Sequence, residues 1–286
     1  MTDEIVNVLV VRFSLVLNED WLRKVYGAPS NREAWLKYRL NIFNQTLRPS
    51  IIAQTKKPSA VYLLLDSQDE NFYLENCSDL EGIFIPVFSR AGVHYAQVGV
   101  LIKETARRNV AVSRGDSDDI LSFDYFAEIN RVISRHKQGK SLLRVVACSG
   151  YRTNGVRIQE VYSEVSPFLT LFFDCYEGEN IYAFNHGRIR EMSYVKNREA
   201  RWIQFIHGSN ISNRFIETSN SKQDLEHKIV FNPESSVFLG TRLRWLIPAR
   251  YPTFVIPAEK SSWSMLHKVF ADSCSLLTKF HGGRVP

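Results

Sequence analysis

Short β-branched apolar runs alternate with amphipathic segments through the first half of this chain, and that alternation leaves few folds open. Ile5–Phe13 (IVNVLVVRF) is short, apolar and β-branched, as a strand buried on both faces should be. Ser30-Asn31-Arg32-Glu33 then has the spacing of a capping box. Leu36, Leu40, Phe43 and Leu47 follow at i, i+4, i+7 and i+11, one stripe of a helix. Pro49 is placed to stop that helix or to start a short next one. Ala60–Leu65 reads as a second strand ending on Asp66. Gly82–Phe88 reads as a third, which Pro86 moves toward a sheet edge or a bulge. Val110–Ser113 is the fourth and Leu142–Cys148 the fifth. Between them Ser122 is expected to cap a helix with Phe126, Ile129 and Ile133 on its apolar face.

Strands separated by helices require crossover connections, so the expected class is α/β with a mostly parallel central sheet flanked by helices. Ligands of such sheets bind beyond the carboxyl ends of the strands. Phe13, Asp66 and the run Asp116-Ser117-Asp118-Asp119 would then share one rim. The second half is less regular. Val156–Tyr162 and Asn180–Phe184 read as strands, in an antiparallel arrangement, with Ser166-Pro167 opening a short apolar helix between them. Arg201–Ile206 reads as a further strand. Asn213 to Asn232 is polar and loop-like, and Trp263, Leu266, Phe270, Leu277 and Phe280 outline an amphipathic helix near the C-terminus. The expected division is a core over residues 1–212 and a basic extension over 213–286.

Composition narrows the function classes. With 44% hydrophobic and 23% charged residues in 286, the chain is globular and long enough to bury a core without staples. Cys77, Cys148, Cys175 and Cys274 are scattered, which excludes a zinc ribbon or a disulfide framework and suits a reducing, cytoplasmic compartment. No stretch approaches the ~18 apolar residues of a spanning helix, and Met1-Thr2-Asp3-Glu4 is acidic where an export signal is basic. A soluble chain is therefore expected. Charge is lopsided: 21 Lys and Arg against 22 Asp and Glu up to Asn185, then 15 against 8 from His186 onward. A basic final third suits an anionic partner such as a ligand's phosphates or acidic lipid, or else forms a plain solvated face.

Several chemistries are missing. There is no G-x-G-x-x-G, G-x-S-x-G or H-E-x-x-H. Gly139-Lys140-Ser141 lacks the earlier glycine of a P-loop and precedes a strand rather than a helix. The acidic run Asp116–Asp119 is what remains. Adjacent carboxylates raise the cost of ionising one another, and a hard divalent cation offsets that cost. In an extended or turning D-x-D, Asp116 and Asp118 would face one ligand while Ser117 faces away. The plain alternative is an acidic loop before a helix.

Asp-Ser-Asp-Asp after a strand resembles the D-x-D motif of GT-A glycosyltransferases, which bind a nucleotide-sugar through a metal. Further segments narrow the resemblance. They are Arg12-Phe13, Trp35-Leu36-Lys37-Tyr38-Arg39, Arg48-Pro49-Ser50-Ile51-Ile52-Ala53-Gln54-Thr55 and Ser113-Arg114-Gly115-Asp116. Ser166-Pro167-Phe168, Asn185-His186-Gly187 and His207-Gly208-Ser209-Asn210 follow in order. Over about Val8 to Asn213 the chain is similar to the bacterial rhamnosyltransferase family, a relative of the inverting family-two enzymes. The resemblance implies a GT-A, Rossmann-like fold and a transferase using Mn²⁺ or Mg²⁺ and a nucleoside diphosphate sugar. The acceptor would be a saccharide or lipid-linked saccharide of a bacterial polysaccharide, with no nucleic-acid partner.

It also implies roles. Asp118, Asp116 and His207 would hold the metal, with His186 as second choice for the histidine. Asp116 would also face the ribose, Asp66 the nucleobase, and Arg12 and Arg114 the nucleotide and diphosphate. The proton acceptor is less clear-cut: no Glu-Asp pair stands where the family-two pattern has one, and Glu164, then Asp174, are the best-placed carboxylates. An Asp118→Ala change is expected to abolish transfer with little effect on melting. The basic third could rest on an anionic membrane from the cytoplasmic side. Two other classes share some of these features. A metal-dependent phosphohydrolase or nucleotidyltransferase also uses paired aspartates, and a non-catalytic nucleic-acid-binding protein would explain the basic third but not the acidic run.

Overall fold

The computed structural model describes residues 4–15, 32–77, 80, 82–90, 94–138, 145–153, 157–161, 168–179, 182, 193–205 and 227–228. Strand β1 (Val6–Arg12) leads to helices α1 (Arg32–Gln45) and α2 (Leu47–Ile52), then to β2 (Ala60–Asp66). A 3₁₀ turn (Ser67–Asp69) and α3 (Glu70–Asn76) lead to β3 (Phe84–Ser89), α4 (His94–Thr105) and β4 (Arg108–Asp116). Next come β5 (Ile120–Leu121), α5 (Tyr125–Gln138), β6 (Val145–Thr153), β7 (Arg157–Val161), β8 (Leu169–Cys175), β9 (Tyr194–Phe205) and β10 (His227–Lys228).

These strands form one sheet in the order β10-β7-β6-β8-β4-β1-β2-β3, with β9 beside β6 and β5 beside β9. The block β4-β1-β2-β3 is parallel throughout. Beyond β4 the pairings β4–β8, β8–β6, β6–β7 and β5–β9 are antiparallel, and only β6–β9 is parallel. The α/β class and the antiparallel second half are as the sequence predicts. The fold is Rossmann-like, of the GT-A type. Chain order leaves β1 toward β2 and β3, then returns to β4 on β1's other side. The sheet therefore has its switch point between β1 and β4, the place where ligands of such sheets bind beyond the strand ends.

Burial explains the strands. Val8, Val10, Leu9 and Val11 of β1 and all of β2 are buried, because helices cover both faces. One face packs Leu9, Val11, Leu63 and Ala111 against Phe43, Leu47, Ile51, Phe126 and Ile129. The other packs Val8, Val10, Leu64 and Val112 against Val98 and Ile102. Helix α1 follows its predicted stripe, with Leu36 and Phe43 buried. It ends where Thr46 Oγ1 donates to the Ile42 carbonyl at 2.7 Å, a local bond that competes with the helix ladder. Pro49 then sits in the first turn of α2, where its missing N–H is harmless. Pro86 lies on β3, the terminal strand of its side, as expected. The Ile83 carbonyl accepts from Val61 N, so alternate residues of β3 face β2 and Pro86 faces the open side.

Four expectations need correction. Strand β4 runs to Asp116 rather than stopping at Ser113, since Arg114 and Asp116 have ladder partners in Val10 and Arg12. The segment after Phe168 is strand β8 and not a helix, because Thr170 to Phe173 zip antiparallel onto β4. Tyr182 lies in a turn rather than in a strand. The Ser122 hydroxyl has no hydrogen-bond partner among the described residues, so it does not cap α5; the Ser122 carbonyl takes the Tyr125 N–H instead. The capping-box residues Ser30 and Asn31, residues 162–167 and the C-terminal helix expected near Trp263 lie outside the described residues. Of the extension over 213–286, the described pair His227–Lys228 adds a strand to β7.

The second half is locked to the first by a buried charge network. Arg201 on β9, with its side chain 2% exposed, donates to Asp124 at 2.6 Å and lies 3.6 Å from Glu128 of α5. Asn197 of β9 also donates to Glu128, at 2.8 Å. Removing one member of such a network strands the others in a low-dielectric interior. Arg201→Ala is therefore expected to cost about 3–5 kcal/mol. Urea unfolding checks this: the midpoint should fall without a change in slope.

Candidate functional site

Arg12 and Asp116 end β1 and β4 and are ladder partners, so they mark the switch point. Arg12 Nε donates to Asp116 Oδ1 at 2.7 Å and Nη2 to Oδ2 at 2.9 Å, a two-point pair. Asp116 is the main cause of the rise in the Arg12 guanidinium pKa. Arg114 shares this face two residues earlier on β4. Burial is the main pull on its pKa, downward, and neighbouring Arg12 pulls the same way. Both guanidiniums flank one ring: Arg12 lies 5.5 Å and Arg114 5.6 Å from the Tyr182 centroid. Tyr182 stacks on Tyr95 of α4 at 4.8 Å and donates its hydroxyl to the Val10 carbonyl at 3.0 Å. Three predicted residues, Arg12, Arg114 and Asp116, thus come together.

After Asp116 the chain turns. Asp119 N donates to the Asp116 carbonyl at 3.2 Å, and Ser117 N to the Arg12 carbonyl at 3.3 Å. The turn changes what D-x-D presents. Arg39 of α1 donates from Nη1 to Asp118 Oδ2 at 3.0 Å and from Nη2 to Ser117 Oγ at 2.6 Å. Ser117 therefore does not face away from Asp118; one guanidinium holds both. The side chains of Arg39 and Asp118 are only 11% and 8% exposed.

Asp119 was not singled out by the sequence, and its surroundings differ from those of its neighbours. It is 1% exposed, and its Oδ2 has no hydrogen-bond partner among the described residues. Burial first, then the charges of Asp118 and Asp116, push its carboxyl well above the ordinary range. A buried carboxylate oxygen without a partner, beside a second carboxylate, is a donor set that suits a hard divalent cation. Such ions take one or two carboxylates and complete their shell with phosphate oxygens and water. Among the described residues no three His, Cys, Asp or Glu side chains converge to hold a metal by themselves. His207 and His186 lie outside the described residues. Asp116 fits the cation less well, because Arg12 takes both its oxygens.

The other expected residues divide. Asp66 ends β2 and is buried, and its Oδ1 accepts from Gln68 N at 3.1 Å, which caps the 3₁₀ turn. Next to it Asp69 holds Arg32 of α1 through two bonds of 2.7 Å, while burial raises its carboxyl pKa. Asp174 needs correction as a proton acceptor. It sits on β8, whose direction opposes β4: Cys175 pairs with Arg108 at the start of β4 and Ser113 with Thr170. At ~3.3 Å per residue Asp174 is about 20 Å from the rim that carries Asp116. It is exposed there and lies 3.7 Å from Lys137. Glu164 lies outside the described residues.

Arg39 had a legible signal, since it borders the buried Leu36–Phe43 stripe and a cation there needs a partner. The Tyr95–Tyr182 stack had none, because nothing in the spacing of two distant tyrosines brings them together.

The chain was compared with known sequences and solved structures. No curated protein matches the sequence significantly. Among solved structures, S. aureus TarS 1–349 is similar at 11% identity and a TM-score of 0.41, over 70% of this chain and 60% of that one. The 4-diphosphocytidyl-2C-methyl-D-erythritol synthase of Anaerococcus prevotii is similar at 10% identity and a TM-score of 0.35, over 75% and 92%. An inositol-1-phosphate CTP transferase of T. maritima gives 10% and 0.33, over 72% and 91%. The match that decides is by sequence. The model of the family described as "Putative rhamnosyl transferase" covers residues 8–219, spanning β1, the Asp116–Asp119 turn and the strands that carry the site, and the chain belongs to that family.

Proposed function

We propose that the protein moves a sugar from a nucleoside diphosphate sugar to a saccharide or lipid-linked saccharide, with Mn²⁺ or Mg²⁺ bound at the acidic turn. The observation that carries this reading is the buried Asp119 oxygen, without a hydrogen-bond partner among the described residues, beside Asp118 at the switch point of the sheet. Asp118 and Asp119 would hold the cation, with His207 as the candidate third ligand. When bound, the ion would offset the negative charge that grows on the leaving diphosphate. Arg114 and Arg12 act on the same charge from the protein side. Their guanidiniums are fixed by Asp116 and the Tyr182 ring, so they need no reorganisation as the glycosidic bond lengthens. Asp116, clamped by Arg12, would meet the ribose, and Asp66 the base, from the end of β2.

The acceptor hydroxyl needs a proton acceptor. Glu164 is the proposed group; β8 enters the sheet next to the end of β4, and Glu164 precedes it by a few residues. Attack from the face opposite the diphosphate, with inversion, follows from a single such base. The basic final third supports an acceptor at an anionic lipid surface on the cytoplasmic side. Among the described residues no helix is long and apolar enough to cross a membrane.

A thermal-shift screen of nucleoside diphosphates, each with and without Mn²⁺, tests the reading. A ligand at 100 times its Kd stabilises the native state by about 2.7 kcal/mol, which is several degrees in Tm. One base should stand out, and only with the ion present. Equal shifts for all bases, or shifts that ignore the ion, would remove the metal-dependent donor site.

A further inference from the structure

We infer that Arg39 occupies Asp118 in the place of the cation and thereby sets how tightly the acidic turn binds a divalent ion. This rests on the reading of that turn as the cation site. Arg39 would be a positioning residue, held on α1, that yields the carboxylate when the ion arrives.

Four observations lead there. The guanidinium grips Asp118 Oδ2 and Ser117 Oγ at once, and both partners are buried, so this charge pair is poorly screened. A divalent ion on the same carboxylate would meet the guanidinium as a like charge at short range, so the two compete. Arg39 is also imperfectly satisfied where it sits: its Nε is buried and has no hydrogen-bond partner among the described residues. Leaving Asp118 therefore costs it less than leaving a fully bonded fork. Finally, Arg39 alone does not offset the turn, because an Asp119 oxygen has no hydrogen-bond partner among the described residues. Asp116 is the contrast. Both of its oxygens already accept from Arg12, so a cation there would have to share each of them with a guanidinium.

The geometry supplies its own reporter. The Arg39 guanidinium carbon stands 5.6 Å from the Trp35 ring centroid, so a guanidinium that moves off Asp118 changes the field at that indole.

The experiment titrates the whole protein with Mn²⁺ alone and counts free ion by its paramagnetic resonance signal, in the unaltered protein, Arg39→Gln and Arg39→Lys. Competition predicts that Arg39→Gln binds Mn²⁺ about tenfold tighter or more, because a like charge has been removed. Arg39→Lys, a point charge without the fork, should fall between the two. A residue that merely props Asp118 in place would give the opposite sign, and weaker or unchanged binding in Arg39→Gln overturns the inference while leaving the cation site standing. No Mn²⁺ binding by any of the three overturns both. Mg²⁺ alone, added to the unaltered protein, should change an emission component that Trp35→Phe lacks. Saturating Mg²⁺ with no such change overturns the inference even if Arg39→Gln fails to fold.

Discussion

Asp118→Asn is expected to lower sugar transfer by about 10³-fold or more, with donor hydrolysis falling in step. Removing one preorganised electrostatic partner of a leaving group has effects of that order, and here the variant also weakens the hold on a cation. Asparagine is the right substitution because the structure changes what alanine would do. Asp118 is the ion-pair partner of a guanidinium that is only 11% exposed. Asp118→Ala would leave that charge buried and uncompensated, at a cost of about 3–5 kcal/mol, so the expectation of unchanged melting does not hold for alanine. The amide oxygen of asparagine still accepts from Arg39. Initial rates at saturating donor, read beside Tm, separate the two effects: a collapse of rate with Tm within a few degrees supports the assignment. Full activity with unchanged metal dependence would remove Asp118 from the site.

Gly150→Ala is expected to be among the most destabilising single substitutions in the chain. A Cβ at Gly150 would stand 2.1 Å from the Trp202 indole, far inside contact distance. Neither side can yield cheaply. The indole is fully buried, stacks on Phe168 at 4.9 Å and donates its Nε1 hydrogen to the Cys148 carbonyl at 2.8 Å. Gly150 is also clamped between β7 and β9, opposite Val161 and Trp202. Overpacking of this kind costs about 1–3 kcal/mol and more where nothing relaxes. Relaxation here means breaking the ring stack, so loss at the top of that range is expected, with a Tm drop of about 4 °C or more. A paired Gly150→Ala, Trp202→Leu protein should recover part of the loss, since the collision is gone. Equal stability of Gly150→Ala and the unaltered protein would show that the sheet shifts freely at this point.

The first half of the fold was legible because its signals are local. Val8 to Val11 and Val61 to Leu65 are continuous apolar runs of strand length, and Leu36 and Phe43 repeat at helical spacing. The rim was legible too, since Arg12, Asp66 and Asp116 all fall at strand ends. What was not legible depends on partners distant in sequence. Leu169 to Phe173 is as apolar as a buried helix, and pairing with Val110 to Ser113 on one side and Val145 to Ala147 on the other makes it a strand. That same pairing carries Asp174 to the far rim, which no spacing rule reveals. Arg39 and Asp118 are 79 residues apart, so their ion pair is a property of the crossover and not of either segment. The acidic turn was read as two aspartates facing one way. The turn at Ser117 and Asp118 gives Asp116 to Arg12, Asp118 to Arg39, and leaves Asp119 as the carboxylate with an oxygen to spare.

Pro86 on β3 has a consequence for how copies of this protein meet. Pro86 sits on the side of β3 that has no neighbouring strand among the described residues, so the row of amide donors that a foreign strand would need there is interrupted near its middle. Lateral growth of the sheet from this flank, whether into a dimer or into an aggregate, has to skip a rung there.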